Sequence, residues 1–505
     1  MESETKIEAI GNSTLYQYIA SIMNVLSGLV FYVYIARVLS ETIVGSVALL
    51  LSLSSLFSII FSLGLGGASR HFLSYQLGKD GGTGSSRILR LFLTFGIILS
   101  VASFLAVYLL SSILSLELFR STSYSFPIDL LGIAVSIGIM DGIVLGILLG
   151  IQRFKLNAIV LTLQSLSTYF LPVMFYFISP SIYSFIFGWI LSGSIVLVTG
   201  LAFALKGIPY SRGIDGPDLR TVMNYALPVY LSSVVGVGSM YVDRIAVAYF
   251  MPLSEIAIYN FAILFYSSIG FLVTPINHVL MPKVSEKFAA GDSEQVRSMG
   301  SLAVTLVSII YVPAALGMAA ISSDLLGFLG GPGYEVGNVP LSVMLFAGAI
   351  SVPANVFLQT LSGTRNTSPL LKASIMALVA NFAISILLIP RFGILGAGIA
   401  YSSVGLVTLF TYVHYTRRVG IFSFNLVAQG KIFFSAIFMY AVISISMHYF
   451  DLSEAGIPVY IIEGAAIFLI LMKLLKPLGI DQVQVIKTSL TGHLSLILRI
   501  MEFLS

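Results

Sequence analysis

The placement of the lysines and arginines constrains this chain more than any other feature. Of 26 basic residues, 22 fall in every second interval between long uncharged stretches. Three (Arg37, Arg120 and Arg391) fall in the alternate intervals, and Arg244 lies inside a stretch. The stretches number about fourteen, and each approaches the ~20 apolar residues a helix needs to cross a hydrocarbon core. They run over about 14–36, 43–66, 91–114, 127–149, 157–178, 181–205, 222–250, 256–281, 299–320, 340–361, 369–389, 393–416, 430–448 and 457–475. Basic residues collect on the cytoplasmic side of a membrane. The pattern therefore predicts an all-α, multi-pass protein of the plasma membrane with both termini in the cytoplasm.

Composition narrows the chemistry. Hydrophobic residues make up 57% of the chain, above the ~45–50% of soluble domains. The net charge of +4 sits in loops that face anionic headgroups, so nucleic acid is not an expected partner. With no cysteine there is no disulfide, thiol nucleophile or zinc–thiolate site, and no metal or cofactor is expected. The glycine-rich GKDGGTGSS at 78–86 lacks the GxxxxGK[ST] spacing that cradles phosphates. It reads as a flexible loop, so ATP driving by this chain is not expected. The opening MESETKIEAIGNS has no basic n-region leading into a short apolar run, and the first span is expected to remain in place. External connections are too short to hold a folded domain. After Pro477, residues Ile486, Leu490, Leu494, Leu498 and Met501 recur at helical spacing. That pattern suits a helix lying in the cytoplasmic headgroup layer or packed on the bundle.

The chain repeats itself at an offset of about 212–214 residues. Ser40-Glu41 corresponds to Ser254-Glu255, and Leu149–Arg153 to Leu361–Arg365. Six spans separate the copies, so both halves keep one orientation: a parallel repeat with its axis along the membrane normal. The expected organisation is an N-terminal lobe (1–220), a C-terminal lobe (221–420), two added spans (421–476) and a cytoplasmic tail (477–505).

Segment 221–290 carries Asp243 in span 7, the short turn Met251–Glu255, Tyr259 to Ala262, then Pro275 and Pro282. Together with 34–72 and IPRFGILGAGIAYS at 389–402, it resembles the polysaccharide exporters, the Wzx-type oligosaccharide flippases of the multidrug/oligosaccharidyl-lipid/polysaccharide superfamily. The resemblance covers about 400 residues, through span 12. It implies a flippase that moves a polyprenyl-phosphate- or pyrophosphate-linked oligosaccharide from the cytoplasmic to the external leaflet by alternating access. The expected partners are that lipid-linked sugar, membrane lipid and a coupling ion, H+ or Na+, left open; the expected working unit is a monomer. An exporter of small cationic drugs on the same fold is the alternative. A membrane glycosyltransferase or ligase competes less well, since there is no D-x-D motif and the external loops are short. No catalytic residue is expected.

Ionisable groups inside spans are costly and mark function by default. Asp243 and Arg244 in span 7 and Asp141 in span 4 are therefore the first candidates, each set against a structural role. Asp129 sits at the outer end of span 4 and reads as interfacial. Arg37, at the outer end of span 1, can grip a phosphate bidentately or anchor the helix at the interface. Gln17 and Asn24 share one face of span 1, seven residues apart. Asn277, His278 and Gln359 lie near the inner ends of spans 8 and 10. Such groups offer donors and acceptors to sugar hydroxyls, or bond helix to helix. Pro228, Pro275, Pro313 and Pro353 interrupt the helical ladder as hinges or static kinks, and Gly64, Gly66 and Gly67 do so in span 2.

Overall fold

The structure is a computed structural model, and it describes residues 2–80, 85–206, 219–364, 366, 368–450 and 456–477. Arg365, most of the loop before Leu219 and the tail from residue 478 lie outside them. Among the described residues there are helices and no strand.

The first eight helices are α1 (Glu2–Val38), α2 (Glu41–Ser62), α3 (Leu65–Asp80), α4 (Ser85–Phe119), α5 (Ser125–Gly150), α6 (Phe154–Ile178), α7 (Ile182–Leu205) and α8 (Leu219–Phe250). The rest are α9 (Leu253–Gly270), α10 (Thr274–Ala289), α11 (Ser293–Ala320), α12 (Ser322–Gly330), α13 (Asn338–Ser351), α14 (Pro353–Gly363), α15 (Ser368–Phe392), α16 (Ile394–Val419), α17 (Leu426–Phe450) and α18 (Ile457–Leu475). Twelve segments among the described residues are long and apolar enough to cross a membrane, thirteen if a bent pair counts as one span. Helix α8 has the length, 32 residues, but is not among the twelve. The helices gather into two compact units, Met1–Ala257 and Ile258–Ser505. Helix α8 falls in the first, whereas the sequence offset starts the second lobe at 221.

Helix α4 shows how a membrane changes the folding pattern. Its buried face carries Gly96, Ser100, Ser103, Val107, Ser111 and Ser115. Its opposite face exposes Ile97, Val101, Leu105, Leu109, Ile113 and Leu116. Large apolar residues can face lipid, while small ones let neighbouring backbones approach. The serines are satisfied locally: Ser100 and Ser136 on α5 each donate 2.8 Å to the other's carbonyl. Hydroxyls elsewhere in the spans, such as Ser52 and Thr411, donate to the carbonyl four residues back, which pairs their polar hydrogens within the helix.

Each unit contains the same local device. In the first, Arg153 N–H donates to the Leu148 carbonyl and Ile151 N–H to Ile147. In the second, Asn366 donates to Leu361 and Thr364 to Thr360, 213 residues later in every case. The glycine just before each turn sits against a helix on the same side. A methyl on Gly150 would lie 3.0 Å from the Arg70 carbonyl of α3, and one on Gly363 3.0 Å from the Met281 carbonyl of α10.

Both units also break the helix that leads into that contact. Between α2 and α3, Leu63 (φ 44°) and Gly64 (φ 70°) take the left-handed conformation, which costs a side-chain-bearing residue about 1–2 kcal/mol and glycine little. Between α9 and α10 the break is the 3-10 turn Phe271–Val273, with Pro275 in the first turn of the new helix. Pro353 begins α14 at a 43° bend from the preceding segment. Pro313 lies inside α11, which runs on unbroken, and so does α8 through position 228.

Candidate functional site

The α2–α3 break opens a cavity of about 500 Å³ in the first unit, within the ~300–1,000 Å³ range of small-molecule sites. Ser55, Ser58 and Ser62 line it from α2 at helical spacing. Gly64, Gly66 and Gly67 form the break and the first turn of α3, and Gly138 and Gly142 of α5 form a flat wall. Helix α8 closes it with Tyr230, Ser233, Val237, Met240 and Tyr241. The α3 and α5 backbones meet closely beside it: a methyl on Gly146 would fall 2.1 Å from the Gly66 carbonyl.

Tyr230 ties the cavity together. Its hydroxyl donates 2.6 Å to the Ile60 carbonyl, and its Cβ lies 3.1 Å from where a Gly64 methyl would sit. Arg244 lies one turn beyond Tyr241, its guanidinium carbon 4.8 Å from the centroid of the Tyr241 ring. Such stacking holds a cation next to an aromatic surface. Arg244 is thus joined to the cavity through Tyr241 without being part of the wall. No acid, lysine, arginine or histidine occurs among the described lining residues.

The other candidates are distributed differently. Asp243 is fully buried in α8. Asp141 is 3% exposed and lies between wall residues in sequence, yet it is aimed at α7, where a methyl on Gly193 would lie 3.4 Å from its Oδ2. Its Oδ1 has no hydrogen-bond partner among the described residues. Gln17 donates 3.0 Å to the Phe154 carbonyl and 3.1 Å to Asn157 Oδ1, and Asn24 donates 3.1 Å to Ser165 Oγ. Both therefore bond α1 to α6 and lie off the cavity wall. Arg37 is exposed in the last turn of α1, where a cation meets the negative end of the helix dipole. In the second unit, Asn277 on α10 and Gln359 on α14 are half-buried. His278 lies on α10, with its side chain outside the described residues. The structure brings Arg244 to the cavity through Tyr241 and leaves Arg37, Gln17 and Asn24 off its wall.

Of the wall, the sequence singles out Gly64, Gly66 and Gly67 but not its serines and tyrosines. Ser55, Ser58 and Ser62 recur at i, i+3 and i+7, and Tyr230 and Tyr241 lie on the same span as Asp243. The signal was the coincidence of a serine stripe with the Gly64–Gly67 cluster directly after it.

Comparison with known proteins agrees with this architecture. The chain is 22% identical over 222 residues to the "Probable low-salt glycan biosynthesis flippase Agl15" of Haloferax volcanii, covering 43% of this chain and 47% of that protein. It is 22% identical over 163 residues to the "Probable flippase AglR" of the same organism, covering 32% and 34%. The matches thus span about half or less of these curated relatives. Among solved structures, the lipid II flippase MurJ in an inward closed conformation superposes with a TM-score of 0.69 at 16% identity, over 91% of this chain and 98% of that one. An inward-facing multidrug resistance MATE family transporter superposes at 0.68 and 12% identity, over 79% and 94%. The fold is the one these transporters share. Residues 10–288, more than half of the chain, match the polysaccharide biosynthesis protein family, and the chain belongs to that family.

Proposed function

We propose that this protein is a flippase for a lipid-linked oligosaccharide, binding the glycan head at the cytoplasmic leaflet and releasing it at the external one by alternating access. The observation that carries the reading is the cavity of the first unit, with serine and tyrosine hydroxyls, glycine backbone and Arg244 stacked behind Tyr241. Sugar rings need acceptors and donors together with flat surfaces, and a phosphate needs an arginine close by. The lipid tail never has to leave the hydrocarbon, so only the head requires a polar route.

The names of the Haloferax relatives point the same way. An exporter of small cationic drugs would want a carboxylate on the cavity wall, and none is present among the described lining residues. The protein works as a transporter rather than an enzyme, as a monomer in the plasma membrane with both termini in the cytoplasm.

The test is reconstitution. Proteoliposomes containing the purified chain and a fluorescent polyprenyl-phosphate-linked sugar should show transfer of the head between leaflets, read by accessibility to an external quencher. Transfer no faster than in protein-free liposomes, with and without an ion gradient, would remove this reading.

A further inference from the structure

Three hydroxyl protons of the cavity wall are already committed. Ser55 donates 2.9 Å to the Leu51 carbonyl and Ser62 donates 3.1 Å to the Ile59 carbonyl. The Tyr230 hydroxyl donates to the Ile60 carbonyl. A hydroxyl has one proton and two lone pairs, so these three groups offer their lone pairs to a ligand. These three groups welcome O–H donors. They repel carboxylate, sulfate and phosphate oxygens, which bring only lone pairs of their own. The described lining residues include no cation to offset that repulsion. Enclosing an anion away from water without a counter-charge costs several kcal/mol.

We infer that the cavity selects an uncharged sugar unit of the lipid-linked glycan and leaves the phosphate outside its wall, on the side of Tyr241 where Arg244 lies. The inference rests on the flippase reading and adds the substrate class to it. Tyr230 and Tyr241 supply the flat faces against which the C–H side of a neutral sugar ring packs. The first turn of α3, at Gly66 and Gly67, supplies backbone N–H groups for the ring's own oxygens. Both sides of a sugar hydroxyl's bonding are then met. A uronic acid's carboxylate meets only lone pairs at Ser55, Ser62 and Tyr230.

The experiment uses the full chain and two synthetic lipids that differ in one group: a polyprenyl-phosphate-linked glucose and its glucuronic acid counterpart. Binding is measured in detergent and transfer in proteoliposomes. The expected result is at least about 10-fold tighter binding of the neutral lipid, or about 1.4 kcal/mol, with transfer following the same order. Ser58→Lys places an ammonium in the wall and should shrink or reverse the preference. Ser233→Lys does the same from α8 and serves if the first variant does not fold. Equal binding of both lipids, or preference for the glucuronic acid form held by the first turn of α3, would overturn the inference and leave the flippase reading standing. Failure of both lipids to bind or move would overturn the two together.

Discussion

The guanidinium of Arg244 stacks on the ring of Tyr241, 4.8 Å from its centroid, and Tyr241 is itself part of the cavity wall. An arginine held this way keeps its charge near the cavity while its position is set by a neighbour's ring. The charge and the ring should therefore be coupled in function.

Replacing Arg244 with alanine should slow transfer of a phosphate-linked sugar on the order of 10-fold or more, since a charge-assisted bond contributes ~1.5–3 kcal/mol. Arg244→Lys should fall between, keeping the charge without the planar fork. Tyr241→Phe keeps the stacking face and should stay near the native rate, whereas Tyr241→Leu should lose part of Arg244's effect. In a double-mutant cycle for Arg244→Ala and Tyr241→Leu, the expected coupling is about 0.5–2 kcal/mol. Strict additivity at matched, well-folded protein would show that the stacking has no functional weight.

Two glycines four residues apart on α5 should behave oppositely. A methyl on Gly146 would be 2.1 Å from the Gly66 carbonyl, so Gly146→Ala must push α3 from α5 and should cost ~1–3 kcal/mol of stability. A methyl on Gly142 meets nothing within 4 Å and points into the cavity region. Gly142→Ala should unfold at the native temperature yet slow transfer by occupying ligand space. Thermal unfolding in detergent and transfer in liposomes separate the two. A destabilised Gly142→Ala would show that the α5 wall is packed rather than open.

Asp141 gives a third test. A buried carboxyl whose Oδ1 lacks a hydrogen-bond partner among the described residues burdens the fold, because removing it from water without compensation is costly. Asp141→Leu should therefore unfold at an equal or higher temperature than the native chain. Lower thermal stability with normal transfer would make Asp141 a structural residue and take it out of the mechanism.

The orientation can be read directly because the chain contains no cysteine. Ser123→Cys, exposed in the turn before α5, should react with a membrane-impermeant maleimide added to intact cells. Glu294→Cys, exposed at the start of α11, should react only after permeabilisation. The reverse pattern would invert the topology and place the basic loops outside.

The helical, membrane-spanning architecture was legible because it follows from patterns that many residues share. Charge asymmetry involves every lysine and arginine at once. The turns after α5 and α14 share their hydrogen bonds at an offset of 213, which sets Arg153 opposite Asn366 rather than Arg365. The motif at 389–402 was legible for a related reason. A methyl on Gly396 would lie 2.6 Å from the Leu388 backbone and one on Gly398 3.0 Å from Pro340, so tight packing leaves no choice of residue there.

The candidate site was harder to read because single polar residues in a span are ambiguous. Gln17 and Asn24 have the chemistry of sugar ligands, yet α6 takes both of them. Ser55, Ser58 and Ser62 look like the serines that pack α4 on α5. What separates them is the direction α2 faces at its break, a three-dimensional fact set by Leu63 and Gly64. Asp243 and Arg244 are adjacent in sequence, but only the fold shows Arg244 stacked beside the cavity and Asp243 fully buried.

The two faces of α4 carry a last consequence. Its exposed apolar residues run from Ile97 to Leu116, about 28 Å at 1.5 Å per residue, close to the ~30 Å hydrocarbon thickness of a typical bilayer. The whole helix has 35 residues, or about 52 Å, so its ends reach well past that slab. The ribbon acts as a ruler. In a membrane with shorter acyl chains the ruler must tilt or the bilayer must stretch, each at a fraction of a kcal/mol per ångström. Because α4 packs on α5 through its serine and glycine face, such a tilt bears on the helix that carries Gly138 and Gly142. Acyl-chain length thereby becomes a physical variable of the cavity wall, acting through the lipid rather than through any residue of the site.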